Sequence, residues 1–390
     1  MIKIGKVDIR DKYLINIYEA PNMTNITRNI NKKYNPKEKI KNFSIDMISY
    51  YLWFSSFGYC EDKVISSGEC CKKQILENWE LIGHKNYRRF FEEDDPLFDL
   101  YEQIKNLSKI YKFFDDAILS YYYNFAILKS DEYKKFVFTF PGSTGVLQLL
   151  GEIINSGFTP YFESKNINVI KYFYKVFQRI YKDVFSETII NILKSYPDYQ
   201  IIFTGHSLGG AVATLISYYY AKEQISTNEP VLITFGQPRV GNLNFAYDYM
   251  RLIKLVFRVA RENDVVTQIP LAYKLNINIF DFIEKIIDGI FYKNEKYFVI
   301  IINIFENILA RKLISKIPFI SYGASHIGGL YFLKNEIFYH CKDFYNSKTG
   351  HPICRNIDFY LEDSLLKSHG YLNFGEEIIS KCQKNRRLGI

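Results

Sequence analysis

The pentapeptide GHSLG, residues 205–209, has the residue types and spacing that could do chemistry. It follows the apolar run QIIFT, typical of a buried strand, and precedes AVATLISYYYAKE, typical of a helix. A serine between two glycines at a strand-to-helix turn is the nucleophile-elbow pattern. The glycines leave room for neighbouring backbone, and the N–H groups that begin the helix can bind a developing oxyanion. The pattern predicts Ser207 as the nucleophile of an acyl transfer.

A serine nucleophile needs a histidine that takes its proton and a carboxylate that orients the histidine. In α/β folds that carry a nucleophile elbow, the acid follows the serine in the chain, and the histidine follows the acid. Asp264 is the first candidate for the acid, because it lies just beyond the apolar run VFRVA, where a loop can present it at the end of a strand. Asp248 lies in a helical pattern and is the weaker candidate, and Glu262 is the fallback.

The candidate base is chosen from six histidines. His84 precedes the serine, and the side chain of His206 is expected to point away from the reacting bond. The four that follow the serine are His326, His340, His351 and His369. His326 lies in SHIGGLYF, which reads as an additional strand and favours a structural role. His369 lies in a late loop near the C-terminus, where this fold usually supplies its base.

The elements that must position these residues begin at residue 134. From there, short apolar runs alternate with helical patterns, which is typical of a parallel sheet with crossover helices. The predicted strands are 134–140, 200–204, 231–235 and 256–260, and a long helical stretch lies near 168–195. The sequence therefore predicts an α/β fold with a mostly parallel central sheet flanked by helices.

The segments outside this predicted sheet have sequence patterns of their own. Residues 1–44 are polar and turn-rich and predict an N-terminal arm; a helix is expected over 45–57, within a domain spanning 45–390. A strongly apolar stretch with interspersed lysines, about residues 275–320, predicts a helical insertion. This insertion either packs against the domain or forms a cap that faces a membrane or gates the substrate. The acidic run FFEEDDPLFD, residues 90–99, is interpreted as solvated surface rather than a metal site.

Charge and composition limit the classes of partner that the protein is expected to bind. The chain of 390 residues has a formal net charge of +8, which fits solvated surface lysines or attraction to an anionic surface such as phospholipid headgroups. Neither a nucleic-acid-binding module nor zinc-type pairs of cysteines are present, so we expect no nucleic-acid partner, no metal and no cofactor. No apolar run reaches the length of about 18 residues that a transmembrane helix requires, and the first residues lack a secretory signal. Protein partners are not predicted.

Four blocks of sequence together resemble the class 3 lipase family, the fungal-lipase-like branch of the α/β-hydrolases. They are GHSLGGAVATL, TFGQPRVGN, FRVARENDVVTQIP and SHIGGLYF. The resemblance covers about residues 134–272 and resumes over about 325–382. It implies Ser207 as nucleophile, Asp264 as acid and His369 as general base.

The resemblance also implies an oxyanion hole. The segment FPGST, residues 140–144, matches the family's first oxyanion loop. Ser143 would offer its backbone N–H and its hydroxyl, and Leu208 would supply the second N–H. Two departures from the family pattern stand out: Pro141 replaces a common arginine, and a His-x-Gly motif is missing, with KYFYKVFQ in its region. These departures bear on the orientation of the loop and on substrate choice.

Further expectations follow from the family. An apolar lid helix would follow the oxyanion loop and include Val146, Leu147 and Leu150. The six cysteines permit disulfides, and the layout of secreted members implies the pairs Cys60–Cys382 and Cys341–Cys354. The protein is accordingly expected to be secreted or in the secretory pathway, with a cytoplasmic or peripheral membrane location as the alternative. Four sequons for N-glycosylation fit export.

The sequence thus predicts a metal-independent serine carboxylester hydrolase acting on lipid esters at a membrane or droplet interface, with triacylglycerol as the favoured substrate. Three alternatives stay open. One is a phospholipase or galactolipid acyl hydrolase with the same triad, and another is a soluble esterase without interfacial activation. The third is a catalytically silent, lipase-like binding or signalling module.

Overall fold

The computed structural model describes the central part of the chain and several flanking strands. The described residues are 3–7, 15–19, 35–42, 44–57, 78–89, 121–143, 157–261, 265–268, 324–325, 327, 329–334 and 337–341. The acidic run 90–99 and the predicted insertion at about 275–320 lie outside them.

A ten-stranded sheet forms the centre of the fold. Its strands are β1 Lys3–Val7, β2 Ile15–Glu19, β3 Glu80–Arg89, β4 Tyr121–Ser130, β5 Lys135–Phe140, β8 Gln200–His206, β9 Pro230–Phe235, β11 Leu255–Arg261, β13 Gly329–Lys334 and β14 Ile337–Cys341. Their order across the sheet is β1-β2-β14-β13-β11-β9-β8-β5-β4-β3. The five strands from β13 to β5 run parallel to one another, and the outer strands pair antiparallel. The carboxyl ends of the five parallel strands therefore meet at one edge.

The four strands predicted from apolar runs are confirmed as β5, β8, β9 and β11. Every residue of β5 and β8 is buried, as are five of the six residues of β9. Strands covered by helices on both faces are apolar at nearly every position rather than at alternate ones, which is why the sequence shows them as continuous runs.

Four helices cover one face of the sheet. They are α2 Lys171–Val184, α3 Glu187–Ser195, α4 Leu208–Lys222 and α5 Leu243–Leu252. Aromatic side chains fill the space between this layer and the sheet: the rings of Phe138 and Phe203 lie 5.0 Å apart, and Phe185 stacks on Tyr220. This face buries a cluster of apolar side chains that forms the hydrophobic core.

The single helical stretch predicted near 168–195 is wrong in detail. The segment begins with a short strand, β7 Asn168–Ile170, and continues as the separate helices α2 and α3. The break falls at Ser186, whose backbone is extended with φ −61° and ψ 156°. Helical spacing of apolar residues resumes after the break, so the periodicity alone did not reveal it.

One further helix, α1 Ile45–Phe57, covers the opposite face. The sequence predicted a helix at this position, and the structure confirms it. Met47, Tyr51 and Phe54 are at most 1% exposed. The helix packs on β5, β8 and β9, so the strands that flank the GHSLG turn are covered on both faces.

The strand predicted in SHIGGLYF is divided in the structure. Its first part belongs to β12 Ala324–Ser325 and its last part to β13. β12 joins a separate four-stranded sheet with the strands β10 Gly241–Asn242, β7 and β6 Phe158–Pro160. Between the two strands, the carbonyl of Ile327 accepts a hydrogen bond from Nε of the buried Arg258. Since the two strands lie in different sheets, the chain crosses between sheets at this point.

Two features are absent from the described part of the chain. Within it, none of the helices has the length and apolar character needed to cross a membrane. The same residues include no group of three or more histidine, cysteine, aspartate or glutamate side chains placed to hold a metal ion.

Lys135 generates a prediction about pH and stability. Its side chain is buried and donates hydrogen bonds to the carbonyls of Pro36 at 2.6 Å and Glu38 at 2.7 Å. Burial lowers the pKa of Lys135 to about 7, and the nearby Glu38 carboxylate only partly opposes this shift. Between pH 7 and the ordinary lysine pKa, the unfolded chain therefore binds more protons than the folded chain, and the free energy of unfolding rises with pH.

We expect the wild type to gain about 3 kcal/mol relative to Lys135→Met between pH 7 and pH 9.5, from about 1.4 kcal/mol per pKa unit. Urea unfolding of both proteins, followed by circular dichroism at the two pH values, measures the difference. A difference that does not change with pH would contradict the prediction.

Candidate active site

Ser207 lies at the sharp turn between β8 and α4. Its backbone has φ 53° and ψ −126°, a conformation that is strained for a residue with a side chain. The N–H of Ser207 donates to the carbonyl of Phe235 at 2.9 Å, and the carbonyl of Ser207 accepts from the N–H of Gly210 at 2.9 Å. The turn is therefore fixed on one side by the end of β9 and on the other by the first turn of α4.

The two glycines of GHSLG permit close packing of backbone. A Cβ atom on Gly209 would lie 2.1 Å from the carbonyl oxygen of Phe140 and 2.5 Å from that of Pro141. A Cβ atom on Gly205 would lie 2.4 Å from the backbone of Gly209. These distances leave no space for a side chain, so the first turn of α4 contacts the loop after β5 directly.

The loop after β5 carries Ser143, one of the predicted oxyanion residues. Phe140, the last residue of β5, pairs with Gly205 in the parallel ladder, so this loop and the Ser207 turn leave adjacent strands at the same edge. The hydroxyl oxygen of Ser143 is buried and has no hydrogen-bond partner among the residues that the structure describes. Leu208, the other predicted oxyanion residue, is the first residue of α4, where backbone N–H groups have no partner within the helix. The structure thus brings both oxyanion candidates to the carboxyl edge beside Ser207.

The predicted acid and base lie outside the described residues. β11 ends at Arg261, on the same edge of the sheet, and a 3₁₀ helix covers Val265–Gln268. Asp264 falls between these two elements, as does the fallback Glu262. His369 also lies outside the described range. Their roles in a triad stay predictions.

Asp248, the weaker candidate for the acid, is engaged elsewhere. It lies on α5 and accepts hydrogen bonds from the hydroxyl of Tyr218 at 2.5 Å and from Nζ of Lys222 at 2.9 Å. Burial on its own would raise the pKa of the Asp248 carboxyl. The hydrogen bonds from Tyr218, Lys222 and Arg251 outweigh this effect, so the pKa lies below its ordinary value. Tyr218 is eleven residues along α4 from Ser207, which corresponds to about 16 Å of helix. Asp248 joins α4 to α5 at the end remote from the turn.

The other described histidines occupy strands. His84 lies on the edge strand β3 opposite Ala126, and His340 lies on β14 opposite Tyr331. His206 is buried at the end of β8. The structure therefore places His84 and His340 within ladders rather than in loops at the carboxyl edge. His326 and His351 lie outside the described residues.

The loop after β9 supports the turn and was not singled out from the sequence as a site. Gly236 has φ 56°, and its N–H donates to the carbonyl of Val259 at 2.8 Å, which joins this loop to β11. Gln237 is buried, contacts Gly210 of α4, and accepts a hydrogen bond from the hydroxyl of Thr234 at 2.6 Å. The indication in the sequence was the glycine of TFGQPRVGN directly after a buried strand, a position where a positive φ is common.

The remaining predicted site residues are largely beyond the described part of the chain. These are the lid residues Val146, Leu147 and Leu150 and the cysteines Cys60, Cys354 and Cys382. Cys341 is described as the last residue of β14. The lid and both disulfides stay predictions.

Comparison with known proteins gives matches centred on this site. Residues 137–274 match the family described as Lipase (class 3). A lipase of Rhizopus niveus is 31% identical over 147 residues, which is 37% of this chain and 37% of the relative. A chloroplastic phospholipase A(1) of Arabidopsis thaliana is 36% identical over 91 residues, 23% of this chain and 20% of the relative. The chain thus spans well under half the length of these relatives in sequence.

The likeness in structure is broader than the likeness in sequence. The crystal structure of a lipase from Rhizopus microsporus var. chinensis superposes with a TM-score of 0.53 and covers 87% of this chain and 92% of that one, at 20% identity. At this identity the match shows the α/β-hydrolase fold alone. The family match spans the Ser207 turn, the Gly236 loop and β11, which are the parts that build the site. Over residues 137–274 the chain is thus similar to the class 3 lipase family, and its relatives in sequence support that likeness.

Proposed function

We propose that the protein is a serine carboxylester hydrolase that acts on lipid esters through an acyl-enzyme at Ser207, with triacylglycerol as the favoured substrate. The observation that carries this proposal is the strained backbone of Ser207 at a strand-to-helix turn, with φ 53°. Strain of this kind costs about 1–3 kcal/mol and persists where the surrounding structure over-determines it, commonly at functional sites. In this chain the strained turn places Ser207 at the carboxyl edge of the sheet.

The reaction divides into acylation and deacylation. His369 takes the proton of the Ser207 hydroxyl as the oxygen attacks the ester carbonyl, and Asp264 orients and balances the resulting imidazolium. His369 then protonates the leaving alcohol, and the acyl group stays on Ser207. In the second half, His369 activates water, which releases the fatty acid and restores the enzyme.

The oxyanion formed in each half-reaction would be bound by the N–H of Leu208 and by the N–H and hydroxyl of Ser143. The buried Ser143 hydroxyl, which has no partner in the described part of the structure, supports this role. An unsatisfied buried hydroxyl costs about 1–3 kcal/mol, and a hydrogen bond to an oxyanion would recover it. Since the oxyanion exists only beyond the ground state, such a bond would lower the barrier rather than tighten substrate binding.

A phospholipase is the second candidate, favoured by two observations. The net charge of +8 attracts the protein to anionic headgroups, and one relative carries the name phospholipase A(1). Either substrate lies in an interface, so we propose a membrane or lipid droplet as the place of action. The predicted lid and the insertion at about 275–320 would then meet the lipid. We also propose a domain spanning 45–390 with residues 1–44 as an N-terminal arm, whose strands β1 and β2 extend the central sheet beyond β14.

Export is a further part of the proposal. The pairs Cys60–Cys382 and Cys341–Cys354 would form only in an oxidising compartment, which favours the secretory pathway over the cytoplasmic alternative. Titration of free thiols in the unfolded protein, with and without prior reduction, shows whether the cysteines are paired, as the proposed export requires, or free.

Substitution of Ser207 tests the proposed activity. We expect Ser207→Ala to lower turnover of a short-chain ester by about 10⁴-fold or more, because the nucleophile is lost while the oxyanion hole stays. Release of fatty acid from emulsified triacylglycerol and from phosphatidylcholine vesicles identifies the substrate class. Activity on the soluble ester alone would indicate an esterase, and an inactive wild type on all three would indicate a silent binding module.

The packing of Gly209 gives a second test with a matched control. We expect Gly209→Ala to lower both the melting temperature and kcat, because its methyl group would overlap the Phe140 carbonyl and displace the oxyanion loop. Gly157→Ala is the control, since a Cβ atom there meets nothing within 4 Å. Thermal unfolding and ester hydrolysis of both variants provide the comparison. Equal behaviour of the two variants would show that the close approach at Gly209 has no functional importance.

A further inference from the structure

The segment 35–57 lies outside the part of the chain that matches the family, yet polar side chains bind it to strands β5 and β8. At the amino end of β5, Lys135 donates hydrogen bonds to two backbone carbonyls of this segment, those of Pro36 and Glu38. At the amino end of β8, Gln200 accepts from the N–H of Ile40 at 2.8 Å and donates to its carbonyl at 3.0 Å. Lys135 and Gln200 are direct partners in the ladder. The start of the segment is therefore fixed at the edge opposite the active site.

The other end of the segment is bound near the active site. The hydroxyl of Thr139 donates a hydrogen bond of 2.5 Å to the carbonyl of Phe54, in the last turn of α1. Carbonyls in the last turn of a helix have no partner within the helix, so this bond satisfies one of them. Thr139 is fully buried, so water from bulk solvent cannot replace the Phe54 carbonyl as the partner of its hydroxyl. The hydroxyl thus joins α1 to the carboxyl end of β5.

Thr139 directly precedes the proposed oxyanion loop. Its neighbour Phe140 contributes the carbonyl that contacts Gly209, and Ser143 follows three residues later. The ladder with β4 and β8 holds the backbone of Thr139 within the plane of the sheet. The bond to Phe54 adds a constraint perpendicular to that plane, from the face opposite α4.

A second buried threonine beside Thr139 allows the effect of this hydrogen bond to be compared within the same chain. Thr204 of β8 is the ladder partner of Thr139, and both are fully buried. In the part of the chain that the structure describes, the Thr204 hydroxyl has no hydrogen-bond partner. Two neighbouring threonines therefore share an environment, and of the two, Thr139 makes the contact with α1.

We propose that Thr139 is a positioning residue for the oxyanion loop. By binding the Phe54 carbonyl, it fixes how far the loop of residues 140–143 stands from α1, and thereby where Ser143 presents its donors relative to Ser207. The inference rests on the proposed acyl transfer, because only that reaction makes the position of Ser143 matter for rate. Segment 35–57 is then a support of the active site that the family match does not include.

Substitutions that change only the hydroxyl test this role. We expect Thr139→Val to lower kcat for a soluble short-chain ester about tenfold while KM changes less than about twofold, because a displaced oxyanion donor affects the transition state and not binding. Thr139→Ser retains the hydroxyl and is expected to recover most of the rate. Thr204→Val, the matched control, is expected to keep the wild-type kcat. All rates are measured at a temperature well below the unfolding transition of every variant.

A double-mutant cycle identifies the route of the effect. Ser143→Ala removes the hydroxyl donor and keeps the backbone N–H, so if Thr139 acts through the loop, Thr139→Val lowers kcat less in this background than in the wild type. A wild-type kcat for Thr139→Val, an equal loss in Thr204→Val, or a fully additive cycle would each overturn the inference while leaving the hydrolase proposal intact. Absence of turnover in the wild type itself would overturn both.

Discussion

The strained turn at Ser207 is the constraint on which the site depends. A residue with a side chain holds φ 53° here because the end of β9 binds its N–H and the first turn of α4 binds its carbonyl. The turn also requires α4 to begin against the loop after β5, and only glycine at position 209 allows this approach. Ser207 and the proposed oxyanion loop are therefore fixed by the same contact. A change that relaxes one displaces the other.

The rest of the fold supplies rigidity to this contact from three directions. Parallel neighbours hold β8 in the plane of the sheet, and α4 covers it on one face. On the other face, the segment 35–57, which includes α1, is bound at both ends by side chains of β5 and β8: Gln200 bonds to Ile40, and Thr139 bonds to Phe54. The edge that carries Ser207 thus depends on a segment whose contact at Phe54 lies 85 residues before Thr139 in the chain.

The sequence was sufficient for the elements whose pattern is local. Continuous apolar runs predicted the four buried parallel strands, and GHSLG predicted the turn, because both depend on neighbouring residues. The division of the 168–195 stretch was missed, since a single extended residue at Ser186 leaves the helical periodicity on either side unchanged. The bond from Thr139 to Phe54 joins residues 85 positions apart and has no local pattern. Asp264 and His369 were assigned by chain order and family resemblance, and their roles stay predictions.

Covalent labelling determines whether Ser207 is a nucleophile, because it reports the reactivity of one hydroxyl without reference to any substrate. The protein is incubated with an alkyl phosphonate that acylation-competent serines attack, digested, and sequenced by tandem mass spectrometry. We expect a stoichiometric adduct on Ser207 that is absent from Ser207→Ala and forms more slowly in Gly209→Ala. An intact, folded protein that carries no adduct, or carries it on another serine, would contradict it.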